Sequence, residues 1–572
     1  MFKYLSFWNK LSQLRKKQIY IIISLMIFVS IAEVLAVASI VPFLSSLTST
    51  ETNVTEISFL KHLPINLDSE TEFFLFATIV VVSTTILSGL LKLQLLYTQT
   101  KFGQDLGGDI SVRIYNNLLN QKYEDQIQVN SSEKISTITV KAKVVIGGII
   151  MPILNILSSS LISFSIFFLL IFLSPAVTLS AAFGTILIYV FVSIIVKKRL
   201  AKYSYDLSKG KDNVQRVIQE ALGAIRDIII SKLQNKYSDQ YNLEDRKLRT
   251  ATTNVHVIKG SPKYIIETLA IILIVLITCV ISINNPNSNF VPILGALGLG
   301  LLKVLPLIQS AYSGWVSLKS NEETFNDVIK MFDIETNIFK NQKNTEFNKS
   351  ILFSNVGFSY KNKNKKVLNN INFTINKGDF VGVSGETGSG KSTLLDLLLG
   401  LIDPTEGKIV IDKKLTLDEC KNHWYSLISH VPQSIFLFDE TLKKNITLED
   451  DINKINTSLL ETSLQVSNLT DLINSLEKGL DTKIGEKGIF FSGGQRQRIG
   501  IARAIYQNKK IIMLDEATNS LDEATEDLIY KKLNKFKSNE LTIINISHKT
   551  DVFKYCNKVL KLDNGVLSIV EK

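Results

Sequence analysis

Six apolar runs crowd into the first 320 residues, at about 18–46, 73–99, 144–173, 176–196, 264–283 and 290–312. Each is near or above the roughly 20 residues that carry an α-helix across a hydrocarbon core of about 30 Å. Backbone polar groups find no water in such a core, so the runs predict six membrane-spanning helices. A mean hydropathy of +0.18 with 45% hydrophobic residues is high for a soluble chain, and the excess sits in these runs.

Charge placement predicts the orientation. Lys3, Lys10, Arg15, Lys16 and Lys17 precede the first run with no acid among them, whereas residues 47–72 set Lys61 against Glu51, Glu56, Asp68, Glu70 and Glu72. The positive-inside rule makes the N-terminus cytoplasmic and that loop external, together with the turns at Ser174-Pro175 and 284–289. The connections 100–143 and 197–263 are long and charged, and the second places Val214, Val217, Ile218, Ala221 and Ile225 at helical spacing. Two helical arms of about 25 residues each would reach roughly 35–40 Å below the membrane. The net charge of +11 reads as attraction of membrane-proximal Lys and Arg to anionic headgroups, not to nucleic acid.

Ionisable residues inside the runs are Glu33, Lys92, Lys263, Glu267 and Lys303. Such groups are expensive in a membrane and are candidates for function. Residue counting puts Glu33 and Lys303 near mid-membrane and Lys92 and Lys263 nearer the cytoplasmic boundary. Cations in the inner half of a cavity suit a substrate bearing phosphates. Equally, Glu33 could neutralise Lys303, Lys263 could pair with Glu267 at i,i+4, and Lys92 and Lys263 could snorkel outward.

The last third has different chemistry. Residues 385–393 read GETGSGKST between a strand-like run at 379–384 and a helix-like run at 392–399. That context predicts a phosphate loop: glycines at 385, 388 and 390 let backbone N–H groups curl around phosphate oxygens, Lys391 reaches the β- and γ-phosphates, and Ser392 offers its hydroxyl to Mg²⁺. The apolar strand 511–514 ends in Asp515 and Glu516. Two acids at a strand's carboxyl edge suit a metal shell (Asp515) and an attacking water (Glu516).

Taken together, Tyr360, GETGSGKST, Gln433 in VPQS, FSGGQRQR at 491–498, IIMLDEA at 511–517, the turn 519–522 and His548 resemble the nucleotide-binding domain of an ATP-binding cassette (ABC) protein. The resemblance covers about 351–572 and implies an α/β P-loop domain with ATP and Mg²⁺ as cofactors. It implies that Tyr360 stacks on adenine and that Gly385, Glu386, Thr387, Gly388, Ser389, Gly390, Lys391, Ser392 and Thr393 hold the phosphates. It further implies that Gln433 links Mg²⁺ to the transport domain, that Glu516, His548 and Lys391 are catalytic, and that Ser392, Gln433 and Asp515 serve the metal. Ser492, Gly493, Gly494 and Gln495 are expected to close over a nucleotide held by a second domain. The chain has one of each element and no internal repeat, so a homodimer with two equivalent sites is expected. Phe491 departs from the family's usual leucine and is expected to pack.

The expected fold is thus a multi-domain membrane protein: a six-helix transmembrane domain of the exporter type over 1–320, a linker over 321–350, and the nucleotide-binding domain over 351–572. The exporter resemblance implies that the cytoplasmic arms end in short helices seated on the nucleotide domains. The segments VSIAEVLAVASIVPFL (29–44), SPKYIIE (261–267) and LKVLP (302–306) are similar to bacterial flippases for lipid-linked oligosaccharides. That similarity implies a polyprenyl-pyrophosphate glycan as cargo, with Lys92, Lys263, Lys303 and Glu33 at the substrate site. An exporter of peptides, toxins or drugs would share everything but the cavity. An ATP-gated channel is disfavoured by two complete ATP sites, and a soluble ABC ATPase by the apolar runs. Abundant Lys, Asn and Ile, with no organellar presequence, point to a bacterial cytoplasmic membrane. Cys279, Cys420 and Cys556 form no metal or disulfide spacing, and His62, His256, His423 and His430 are expected to be structural.

Overall fold

The computed structural model describes residues 7–48, 70–127, 130–173, 175–284, 291–334, 343–344, 346–360, 366–485, 488, 490–537 and 540–571. Most of the expected acidic loop 47–72, with His62 in it, Ser174 and most of the turn 284–289 lie outside the described residues, as do the side chain of Cys279 and part of the expected linker. The chain divides into two units, one of 1–121 and 125–336, the other of 122–124 and 337–572.

Unit 1 is helical. Its principal helices are α1 (Gln13–Ala38), α2 (Ile40–Thr48), α3 (Glu70–Leu119), α4 (Met151–Leu173), α5 (Pro175–Gly223), α6 (Gln234–Asn284), α7 (Val291–Ser320) and α8 (Glu322–Phe332). Among the described residues, three helical stretches are long and apolar enough to cross a membrane: Gln13–Leu44, Thr71–Leu119 and Ser131–Phe172. The expected spans at 176–196, 264–283 and 290–312 fall in α5, α6 and α7, partly on side chains outside the described set. Apolar side chains such as Leu93, Phe164, Phe172 and Ile194 point outward, as helices solvated by lipid require. The long connections are continuations of these helices. Between α5 and α6 lies one short helix, Ile225–Ile230, whose Ile225, Ile229 and Ile230 are exposed.

Two expectations gain detail. The apolar run that begins at 144 first faces other helices, because Val145, Ile146 and Ile149 are buried, and its outward-facing apolar residues start at Leu157. The stretch expected as a linker over 321–350 begins with a helix. Phe325, Val328, Met331 and Phe332 recur at helical spacing, and α8 buries them against Phe7, with ring centroids 5.9 Å (Phe325) and 5.6 Å (Phe332) away.

Unit 2 is built on two sheets. The first is antiparallel, in the order β2 (Leu368–Asn376), β1 (Ser350–Phe358), β4 (Glu406–Ile411), β5 (Leu415–Thr416). The second runs β10 (Val566–Glu571), β9 (Lys558–Asp563), β3 (Phe380–Gly385), β8 (Thr542–Ile546), β7 (Ile511–Asp515), β6 (Ile428–Val431), parallel from β9 to β6. Its central strands read as unbroken apolar runs because both faces are covered. Val381, Val383, Ile511, Met513, Ile544 and Ile546 enter one core, whereas Phe380, Ile512, Leu514 and Ile543 enter the other. Helix α9 (Lys391–Leu398) follows β3, α10 (Gly493–Tyr506) precedes β7, and α11 (Glu523–Phe536) follows it.

Candidate functional site

Strand register assembles the site. Val431 is opposite Leu514, Asp515 opposite Ile546, and Ile546 opposite Val383, so β6, β7, β8 and β3 end at one level. The residues just past those ends are Gln433, Glu516, His548 and the loop 385–390. Residues far apart in sequence therefore meet along one carboxyl edge, where open parallel sheets collect ligands.

The loop after β3 depends on glycine at two points. Gly390, the residue before α9, has φ +107°, and a Cβ there would meet Leu368 Cδ2 at 2.9 Å. At Gly385 an added Cβ would meet the Leu562 carbonyl oxygen at 2.3 Å. Glu386, Thr387 and Gly388 are exposed at the loop's crest, and Ser389 is buried with an Oγ that has no partner among the described residues. Lys391 Nζ donates to the carbonyls of Gly385 (2.8 Å) and Glu386 (2.9 Å), which holds the ammonium across the loop. Burial draws Lys391 below the usual lysine value, while the charges of Glu516 and Asp515 pull it back. Ser392 is exposed at the start of α9. Thr393 Oγ1 lies 3.2 Å from the Tyr360 hydroxyl, and the Tyr360 ring packs edge-on against Phe358.

The carboxylate of Glu516 is gripped from three sides. Gln433 Nε2 and Asn519 Nδ2 each donate to Oε2 at 2.7 Å, and His548 Nε2 lies 2.8 Å from Oε1. Its backbone is left-handed, φ +48°, a conformation that non-glycine residues adopt at a cost and that turns the side chain off the line of β7. Gln497 steadies the turn, accepting from Ser520 N at 2.8 Å and reaching the Glu516 carbonyl at 3.4 Å. Next door, burial and then the Glu516 charge raise the Asp515 carboxyl above its usual value. The same causes, burial and the Asp515 charge, push Asp396 of α9 up to about 6.

These three acids crowd one edge, where the Lys391 ammonium offsets part of the charge of Asp515 and Glu516. A divalent cation fits that imbalance. Asp515, the Ser392 hydroxyl and the Gln433 amide are oxygen donors of the kind Mg²⁺ takes alongside nucleotide phosphates. Among the described residues no cluster of three or more His, Cys, Asp or Glu could cage a metal unaided.

The segment Ser492–Gln495 caps α10. Ser492 Oγ accepts from Gln495 N (3.2 Å) and Gln495 Oε1 accepts from Ser492 N (2.8 Å), a reciprocal box around a helix N-terminus. Gly494 sits against the Ser520 backbone, where a Cβ would come within 3.0 Å of its carbonyl. Phe491 is buried in the core.

In unit 1, Glu33 is only 3% exposed and pairs with two lysines: Lys92 Nζ at 2.5 Å and Lys303 Nζ at 3.3 Å, with the Ser88 hydroxyl also donating to it. Lys92, expected nearer the cytoplasmic boundary, thus sits at the level of Glu33. The lysines stay 47% and 32% exposed, so one acid anchors two accessible cations. Lys263 lies 3.7 Å from Glu267.

Sequence reasoning gave no role to Asn519, Gln497 or Asp396. Asn519 was within reach of it, three residues after Glu516 in a turn. The other two required the fold.

Two family models match: the ABC transporter transmembrane region over residues 11–288 and the ABC transporter domain over 368–519. A putative ABC transporter ATP-binding protein of Mycoplasma genitalium is 28% identical over 435 residues, 73% of this chain and 71% of that protein. An ATP-dependent lipid A-core flippase of Blochmanniella floridana is 37% identical over 222 residues, only 39% of this chain and 37% of the flippase. The solved structure of a bacterial Atm1-family ABC exporter with ATP bound superposes with a TM-score of 0.77 at 19% identity, covering 97% of this chain and 94% of that one, a likeness of fold.

Proposed function

The chain belongs to the ABC transporter family as an exporter-type member whose ATP hydrolysis is coupled to transport, and on that premise we propose that it flips a lipid-linked oligosaccharide or related polyprenyl-pyrophosphate glycan across a bacterial cytoplasmic membrane. The working unit is a homodimer. Each exposed α10 N-terminus, with its box of Ser492 and Gln495, offers N–H groups and a favourable dipole to a nucleotide on the partner's phosphate loop.

In hydrolysis, Lys391 and the loop amides neutralise charge on the β- and γ-phosphates. Glu516, oriented by Gln433, Asn519 and His548, accepts a proton from the attacking water as the new P–O bond forms and ADP departs. Ser392, Gln433 and Asp515 would hold Mg²⁺, which would supply further charge stabilisation to the phosphates. Tyr360 provides a ring for adenine.

The observation that carries the cargo reading is the Glu33 cluster: two lysines on one acid leave an excess positive charge within the membrane, suited to a pyrophosphate. Replacing Lys92, Lys263 and Lys303 together by Gln is expected to abolish stimulation of ATPase by lipid-linked glycan and to spare basal ATPase. Unchanged stimulation overturns the cargo reading. The pairing of every one of these lysines with an acid favours a second reading, export of peptides, toxins or drugs. Stimulation by hydrophobic peptides or dyes, with none by glycolipid, would select it.

A further inference from the structure

We infer that Lys141 is a positioning residue, the joint that makes α8, the arm of α5 and the segment feeding α4 move as one body when ATP is bound and split. The inference rests on family membership and is independent of the cargo. Lys141 is fully buried, 0% exposed, and its ammonium is shared by two carboxylates from different elements: Asp212 of α5 at 2.8 Å and Asp327 of α8 at 2.7 Å. The Ser208 hydroxyl of α5 donates to the same Asp327 oxygen at 2.6 Å. Two further bonds stitch α8 to α5, Glu323 N to Ser204 Oγ at 3.0 Å and Lys211 Nζ to Thr324 Oγ1 at 3.4 Å.

Lys141 itself ends a π-helical turn, Thr137–Lys141, and a second π turn at Ile146–Ile150 leads into α4. Extra residues wound into a helix in this way shift side chains out of α-helical register and recur at functional positions. At the second π turn Gly148 lets Asn321 approach, since a Cβ there would lie 2.7 Å from Asn321 Nδ2. One cation therefore fastens together the segment feeding α4, the arm of α5 and the helix whose chain continues into unit 2.

Buried charges make this joint stiff. Separating α8 from the other two elements would strand a desolvated ammonium or two carboxylates, so the elements move together or not at all. Burial drives Asp327 up, yet the bonds from Lys141 and Ser208 hold it below the usual carboxylate value, as expected of a working ion pair. Asp212 Oδ1 has no partner among the described residues, so the network is one donor short of saturation and depends on Lys141.

The test is hydrogen–deuterium exchange of the full chain in lipid nanodiscs, with and without Mg²⁺, ATP and vanadate. In wild type, trapping should change exchange both in unit 2 and in residues 131–173. In Lys141→Met the unit 2 change should persist while that at 131–173 falls at least fivefold, and Lys141→Arg should restore it. Asp212→Asn, which leaves the Lys141–Asp327 bond in place, should give an intermediate loss and serves if Lys141→Met fails to fold. The neutral triple variant Lys141→Met, Asp212→Asn, Asp327→Asn keeps the packing and removes the ions. Wild-type transmission in it, or in Lys141→Met, overturns the inference.

Discussion

Replacing Glu516 by Gln preserves the shape of the side chain and removes its basicity. The three groups around it, Gln433 and Asn519 at 2.7 Å and His548 at 2.8 Å, are all positioned to donate, which suits a carboxylate and not an amide. An amide at 516 also sets its own NH₂ against one of these donors. General-base catalysis is worth about 10²–10⁴-fold, or about 2.7–5.5 kcal/mol of barrier. Phosphate release by Glu516→Gln should fall by that factor, while nucleotide affinity, set by Lys391 and the loop, should hold. Asn519→Ala separates orientation from basicity. It removes one hydrogen bond to a charged acceptor, worth about 1.5–3 kcal/mol, so a loss of about tenfold to a hundredfold is expected in kcat with KM little changed. Retention of more than about a tenth of wild-type turnover by Glu516→Gln would refute the assignment of the base.

Three further outcomes are expected. Glu33→Gln leaves Lys92 and Lys303 facing each other without their shared acid, but both ammonium groups stay accessible, so thermal unfolding in detergent should drop only modestly, and adding Lys92→Gln should recover part of it. Gly390→Ala forces a side chain into φ +107° and onto Leu368, so equilibrium binding of ATP should weaken at least tenfold even where the domain folds. His430 is held by burial at about 4, below the unfolded value near 6.5, so the unfolded chain takes up a proton first. Stability should therefore fall as pH drops from about 6.5 to about 4, by at most about 3 kcal/mol, and urea titrations of His430→Gln should lack that slope.

The phosphate loop, the two acids after β7 and the α10 cap were readable because each is local. A continuous apolar strand, a glycine that must go left-handed and a capping box are short-range features, and their physics is complete within about ten residues. Asn519 lay in such a stretch and needed only a partner. His548 was legible as a member of a pattern, but its place on Glu516 depends on β8 lying beside β7. Within the apolar run from 144, residues that face other helices and residues that face lipid have the same composition, so only the structure shows that Val145 and Ile149 are core and Leu157 faces outward.

Chain chemistry alone thus determined that this protein has apolar helices and an ATP-hydrolysing α/β domain, since nucleotide phosphates demand particular residues at particular short spacings. What the tertiary structure decided is where charge ends up. Glu33 meets Lys92 and Lys141 meets Asp327 across 59 and 186 positions respectively. A buried ion's energy is fixed by which partner reaches it in a low dielectric, and that is settled by helix packing, of which the linear order of residues carries no local trace.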